Sequence, residues 1–213
     1  DFVWLHFPKC AGTKTENLFH RYFSDRQDIH QDAVDIVKNP GVSWHDSLAE
    51  REQRDVNFSS VNRLVICPIR RLPAWLESRY NFEVARSPKL DHRADRLLTG
   101  HFLTANGKVA HADAVARRYL PGNLLASPRL VFLRTEFFRE DFERIFAPFI
   151  DVGRIPADEF AIRENASPDC LPGPIRQRLL YDNDNLYEHC PLWKKVEQLA
   201  YNSNSARSTA DNL

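Results

Sequence analysis

The sequence predicts an α/β fold in three layers, with a mostly parallel sheet flanked by helices. Three observations lead there. Phe2-Val3-Trp4-Leu5-His6 is a short apolar run bounded by Pro8, and Leu18, Phe19, Tyr22 and Phe23 recur after it at helical spacing. Arg63-Leu64-Val65-Ile66-Cys67-Pro68-Ile69 is apolar enough to be buried on both faces, as parallel strands are, and it too runs into a helical pattern. Arg129-Leu130-Val131-Phe132-Leu133-Arg134 opens a third strand-helix unit. Strands that alternate with helices argue for a parallel sheet.

The first helix is expected to begin near Thr13, with its free N–H groups facing the preceding loop. Gly12 allows close backbone approach, the hydroxyls of Thr13 and Thr15 can donate, and Lys9 and Lys14 add charge. Together they describe a phosphate cradle. The same residues also suit an ordinary strand-turn-helix with an incidental lysine. Residues 24–38 are polar and acidic, with a weak apolar beat at Ile29, Val34, Ile36 and Val37, and Asn39-Pro40-Gly41 reads as a turn. Residues 43–51 look like a helix start with Ser or Asp as cap, and His45 sits near it.

After the second strand, Pro73 suits the first position of a helix over residues 74–83. Residues 87–122 are charged, with helical segments expected over 91–102 and 112–120 around Asn106-Gly107, and the stretch is expected to be a helical cap. The third strand leads to a helix over 136–149, whose Phe137, Phe138, Phe142, Ile145 and Phe146 share a face. Prolines at 156, 168, 172 and 174 mark a loop-rich stretch before helices over 175–188 and 192–201, and residues 202–213 are expected to be a flexible tail.

At 213 residues the leading expectation is a single domain over 1–213. Lys plus Arg equals Asp plus Glu at 29 each, so nothing global points to nucleic acid or an anionic membrane as partner. No stretch reaches the apolar length of an integral membrane segment. Cys10, Cys67, Cys170 and Cys190 show no C-x-x-C pair and no zinc spacing, so free thiols in a reducing cytoplasm are expected.

The loop fails the Walker A pattern twice: Phe7 stands in place of the first Gly, and Thr13 separates Gly12 from Lys14. Pro8-Lys9-Cys10-Ala11-Gly12-Thr13, between an apolar strand and a helix, instead resembles the 5′-phosphosulfate loop of sulfotransferases that use 3′-phosphoadenosine 5′-phosphosulfate (PAPS). Arg71-Leu72-Pro73 with Ser78-Arg79-Tyr80 is similar to that family's 3′-phosphate motif, one residue short and without its second Arg. A competing register takes Pro68 as the motif proline and loses both phosphate ligands to Ile66 and Ala74.

Three further stretches are similar to patterns of the bacterial and carbohydrate-type branch. They are His45-Asp46-Ser47-Leu48-Ala49-Glu50, the Arg134-x-Glu136 stretch ending in Asp141-Phe142, and Tyr181-x-x-Asp184-x-Leu186-Tyr187.

The resemblance implies a P-loop NTPase-like fold and transfer of a sulfuryl group from PAPS to an acceptor hydroxyl or amine, with PAP as product and no metal. Lys9 would stabilise the leaving phosphate, and Cys10, Ala11, Gly12, Thr13, Lys14 and Thr15 would cradle it. Arg71 and Ser78 would hold the 3′-phosphate, and His45 would be the general base. A bacterial cytoplasmic enzyme is implied, acting on a glycan, lipid or small molecule. His6, in a buried strand, and His20 and His30 are weaker candidates for the base, while Glu16 is either a base or a helix-dipole partner. Two other readings stay open: a P-loop kinase or NTPase, and a catalytically silent nucleotide-binding or interaction protein.

Overall fold

The computed structural model describes residues 2–26, 45–162 and 167–202. In chain order these form β1 (Phe2–Trp4), α1 (Gly12–Tyr22), α2 (Leu48–Arg54), β2 (Leu64–Ile69), α3 (Leu72–Arg86), β3 (His101–Leu103), β4 (Val109–His111), α4 (Ala112–Tyr119), α5 (Gly122–Leu125), β5 (Leu130–Arg134), α6 (Phe138–Phe146), α7 (Gly173–Tyr181), α8 (Asp184–His189) and α9 (Pro191–Asn202). Short 3-10 segments lie at Ala94–Thr99, Thr135–Phe137, Val152–Arg154 and Ala157–Ala161. The turn expected at 39–41, residues 43 and 44 at the start of the expected second helix, His30 and the tail beyond 202 lie outside the described residues. Among the described residues no helix is long and apolar enough to cross a membrane.

The chain divides into two compact units, Asp1–Pro68 with Pro128–Ala166, and Ile69–Ser127 with Ser167–Leu213. The first is α/β, built on a small parallel sheet of three strands in the order β1-β2-β5. Phe2, Val3 and Trp4 of β1 lie opposite Leu64, Val65 and Ile66 of β2. The pairing continues past β1, where the Leu5 N–H donates to the Ile66 carbonyl at 2.9 Å. The apolar face of α1 (Leu18, Phe19) and that of α6 (Phe138, Phe142, Ile145, Phe146) close over Ile66 and Leu133. Phe19 meets Phe146 edge-on at 5.1 Å, and Phe142 lies 4.6 Å from Phe146. Each such ring, buried completely at Phe142 and Phe146, contributes roughly 1.5–3 kcal/mol. Thr135–Phe137 is a 3-10 turn, so α6 starts at Phe138, two residues later than the periodicity suggests.

The second unit packs α3, α4 and the C-terminal helices around Trp75 and Trp193, whose rings lie 4.5 Å apart, with Phe102 edge-on to Trp75 at 5.5 Å. The helix expected over 91–102 is replaced by the 3-10 segment Ala94–Thr99 and by β3, which pairs antiparallel with β4. Gly100 explains the change. Its φ of +76° ends the turn, and a side chain there would meet the Cys190 sulfur at 2.3 Å. The single helix expected over 175–188 is two, α7 and α8. The Asn183 side-chain amide donates to the carbonyls of Leu179 and Leu180 and closes α7.

Candidate functional site

The loop between β1 and α1 is set by backbone conformation before any side chain is considered. Lys9 and Ala11 both take left-handed φ values, +63° and +61°. For residues with a Cβ such conformations cost on the order of 1 kcal/mol each and collect where a loop is shaped for a task. Ala11 is the N-cap of α1 and makes no side-chain cap bond to the first-turn N–H groups. That turn begins at Gly12, where the dipole of the helix points its positive end at the loop. Lys9 is half-buried and Cys10 is fully buried.

Two of the expected phosphate ligands have other employment. The Thr15 hydroxyl, 1% exposed as a residue, donates back to the Ala11 carbonyl at 3.2 Å. The Lys14 ammonium donates to the carbonyls of Phe160 at 2.5 Å and Ile162 at 3.0 Å, and it lies 4.8 Å above the Phe138 ring. Lys14 therefore ties α1 to the Ala157–Ala161 segment. Lys9, Cys10 and Ala11 lie in the loop proper, and Gly12 and Thr13 open α1.

Beneath the loop lies a pair that the sequence alone did not bring together. The His6 ring, 4% exposed as a residue, packs where a Gly12 side chain would be, 2.3–2.6 Å from an ideal Cβ. Gly12 and Glu16 are four apart and share one face of α1, so Glu16 arrives at the same ring. His6 Nδ1 and Glu16 Oε1 are 2.5 Å apart, and Glu16 is 9% exposed. The other oxygen, Oε2, is buried without a hydrogen-bond partner among the described residues.

His45 joins this pair from the chain ahead of α2. That helix is capped by Ser47, whose hydroxyl takes the Glu50 N–H at 3.4 Å while the Glu50 carboxylate takes the Ser47 N–H at 2.7 Å, a reciprocal capping box. Two residues before the cap, the His45 ring stands edge-on to His6 at 4.6 Å, and its Nδ1 is 3.4 Å from the His6 carbonyl oxygen. A carbonyl only accepts, so Nδ1 carries the hydrogen. The lone pair of the neutral ring is then on Nε2.

Arg71 and Ser78, expected at the 3′-phosphate, belong to the second unit. Arg71 is the N-cap of the 15-residue α3, and Ser78 is half-buried and seven positions on, so the two share a helix face. The N-terminus of α3 already holds an anion. Glu197 of α9 accepts the Leu72 N–H at 2.6 Å and the Tyr187 hydroxyl at 3.0 Å, and its Oε2 lies 3.7 Å from the Arg71 guanidinium. Arg71 also lies 4.2 Å above the Tyr201 ring. Burial and the Glu197 charge push the Tyr187 hydroxyl well above its ordinary pKa. An acid among Trp193, Val196 and Ala200 on the buried face of α9 is the sequence signal that could have revealed Glu197.

The Arg134…Asp141 stretch forms a clamp. The Asp141 carboxylate accepts the Arg134 backbone N–H at 2.8 Å and both arms of its guanidinium at 2.8 and 2.9 Å, and it accepts Arg144 at 3.0 Å. Burial alone would raise the Asp141 pKa, but these donors outweigh it and hold the carboxyl below its usual range. The motif fastens the end of β5 to α6. Among the described residues no three His, Cys, Asp or Glu side chains converge on a position that could hold a metal ion. The chain matches no known family, no characterised protein and no solved structure.

Proposed function

We propose that the chain is a PAPS-dependent sulfotransferase of P-loop-like design, moving a sulfuryl group in line from PAPS to an acceptor hydroxyl or amine. The observation that carries this reading is the loop from Pro8 to Thr13. It joins a parallel strand to a helix whose N-cap supplies no side-chain acceptor, turns through left-handed residues at Lys9 and Ala11, and has His45 packed against its base. An uncapped helix start beside a lysine suits a phosphate better than it suits a neutral group. In this reading the Gly12 and Thr13 amides hold the 5′-phosphate and Lys9 stabilises the charge that develops on its leaving oxygen. As the acceptor oxygen bonds to sulfur, its proton passes to His45 Nε2, while the sulfur-oxygen bond to the 5′-phosphate breaks and the electron pair stays on that oxygen. Arg71 and Ser78 remain the candidates for the 3′-phosphate.

A second reading, a catalytically silent nucleotide-binding or interaction protein, is favoured by one specific feature. Glu197 occupies the start of α3 and partly neutralises Arg71.

Calorimetric titration with PAP, with ADP and ATP as controls and a chelator present, separates these possibilities. The sulfotransferase reading expects PAP to bind about 10- to 100-fold tighter than ADP, the worth of one charge-assisted phosphate contact. Lys9→Ala should lose a similar factor with its melting temperature unchanged. Binding of none of the three would favour the silent protein, and ATP binding that returns only with magnesium would favour a kinase or NTPase.

A further inference from the structure

We propose that Glu16 and His6 are positioning residues for His45: the buried carboxylate fixes the His6 ring, and that ring and its carbonyl fix His45 with Nε2 as the basic nitrogen. This deepens the sulfotransferase reading and rests on it only for the word base; the positioning itself is a property of the fold. Three contacts in series carry it. Glu16 Oε1 holds His6 Nδ1 at 2.5 Å, the His6 ring meets the His45 ring at 4.6 Å and 77°, and the His6 carbonyl faces His45 Nδ1 at 3.4 Å.

The arrangement is held on every side that the contacts define. With Glu16 ionised, His6 Nδ1 must carry a hydrogen to meet it, which sets the His6 tautomer in its neutral form. Gly12 presents backbone alone to the Nε2 end of the ring, where any side chain would collide with it. Glu16 itself is placed by α1, one turn beyond Gly12. A buried polar pair kept only for stability is weakly motivated, since an apolar pair of equal volume often serves as well. A carboxylate that orients an imidazole, which in turn orients a second imidazole, has the form of an orienter behind a base.

The test is nitrogen-15 NMR of the histidine side chains in the wild type, Glu16→Gln and Glu16→Leu, with PAP calorimetry on the same samples. Leucine fills the buried volume without accepting a hydrogen bond, so the helix and core are kept, and circular dichroism and the melting curve check this. In the wild type the neutral His45 ring should show a single predominant tautomer, protonated at Nδ1. Glu16→Gln, whose amide oxygen still accepts from His6, should retain it. Glu16→Leu should shift His45 towards a mixture of tautomers, with PAP affinity within about threefold of wild type.

An unchanged His45 tautomer in folded Glu16→Leu would overturn the proposal. So would loss of the tautomer in Glu16→Gln to the same extent as in Glu16→Leu, because a lost charge would then be the cause. Should Glu16→Leu not fold, His6→Phe gives the same reading, since it keeps the carbonyl and an aromatic edge but cuts the link to Glu16; full retention of the tautomer there would equally overturn the proposal. If the wild type shows the tautomer pattern but binds no PAP, the sulfotransferase reading fails while the positioning stands.

Discussion

At Gly12 the imidazole of His6 fills the space that any side chain would need, and Glu16 holds that imidazole in place. Gly12→Ala therefore sets a methyl against a ring that cannot swing aside without breaking a buried hydrogen bond. The expected cost is about 1–3 kcal/mol of stability in urea unfolding, the usual range for overpacking a filled site. The same variant should weaken PAP binding in calorimetry, because the methyl displaces the first turn of α1, whose Gly12 and Thr13 amides are the proposed phosphate donors. A variant with wild-type stability and PAP affinity would show that the ring is loosely held. The need for glycine was legible in the sequence as close approach to a ligand, but the nearest neighbour is the protein's own histidine. His6 and Glu16 were readable separately, as a buried-strand residue and a helix-dipole residue, and only packing joins them.

Two elements owe their position to buried carboxylates. Asp141 secures α6 to the end of β5 through the Arg134 backbone and guanidinium. Because its folded pKa is depressed below the ordinary 3.8, its contribution is whole above that value and is lost as pH falls through the lower folded value. Asp141→Asn should cost about 3 kcal/mol at pH 7, since it removes the buried charge that pairs with Arg134. It should also flatten the loss of stability that the wild type shows between pH 4 and the low-pH limit, when urea midpoints are compared across that window.

In the second unit, Glu197 does for α3 what a cap residue would do, because Arg71 makes no side-chain cap bond. Glu197→Ala leaves the Leu72 N–H and the Tyr187 hydroxyl unpaired, at about 1–3 kcal/mol by thermal or chemical unfolding. Wild-type stability would mean that water replaces the carboxylate freely. Periodicity located α3, α6 and α9 well, because apolar spacing is a local property. It missed the β3–β4 hairpin, whose strands of three residues are too short for alternation to show.

Across the molecule, charge balances and the four thiols are free. Cys170 is exposed, whereas Cys10, Cys67 and Cys190 have no exposed surface. Burial, with Cys10 adding to it, pushes the Cys67 thiol well up, and burial with the Asp113 charge pushes Cys190 up to about 12. Since the thiolate is the reactive form, a thiol reagent on the native protein should modify Cys170 rapidly and the other three only after denaturation. Rapid reaction at Cys10 would mean that the loop opens in solution on the timescale of the assay. The two units each have their own core, one of phenylalanines around β2 and β5 and one around the Trp75–Trp193 pair. The expectation of one domain over 1–213 rests on length and composition, which carry no mark of such compact units.

Read along the chain, the amino acids by themselves determined the alternation of strands and helices, the loop that follows Pro8 and a Ser or Asp cap ahead of the second helix. Each depends on spacing or backbone preference within a few residues. Tertiary structure alone decided that Lys14 would serve Phe160 and Ile162, that Glu197 would occupy the start of α3, and that His6, Glu16 and His45 would meet under one glycine. Those partners lie up to 148 residues apart, as in Lys14 and Ile162. Which distant groups meet depends on how whole faces bury one another, and nothing in a local pattern encodes the partner a polar side chain will find once water is excluded.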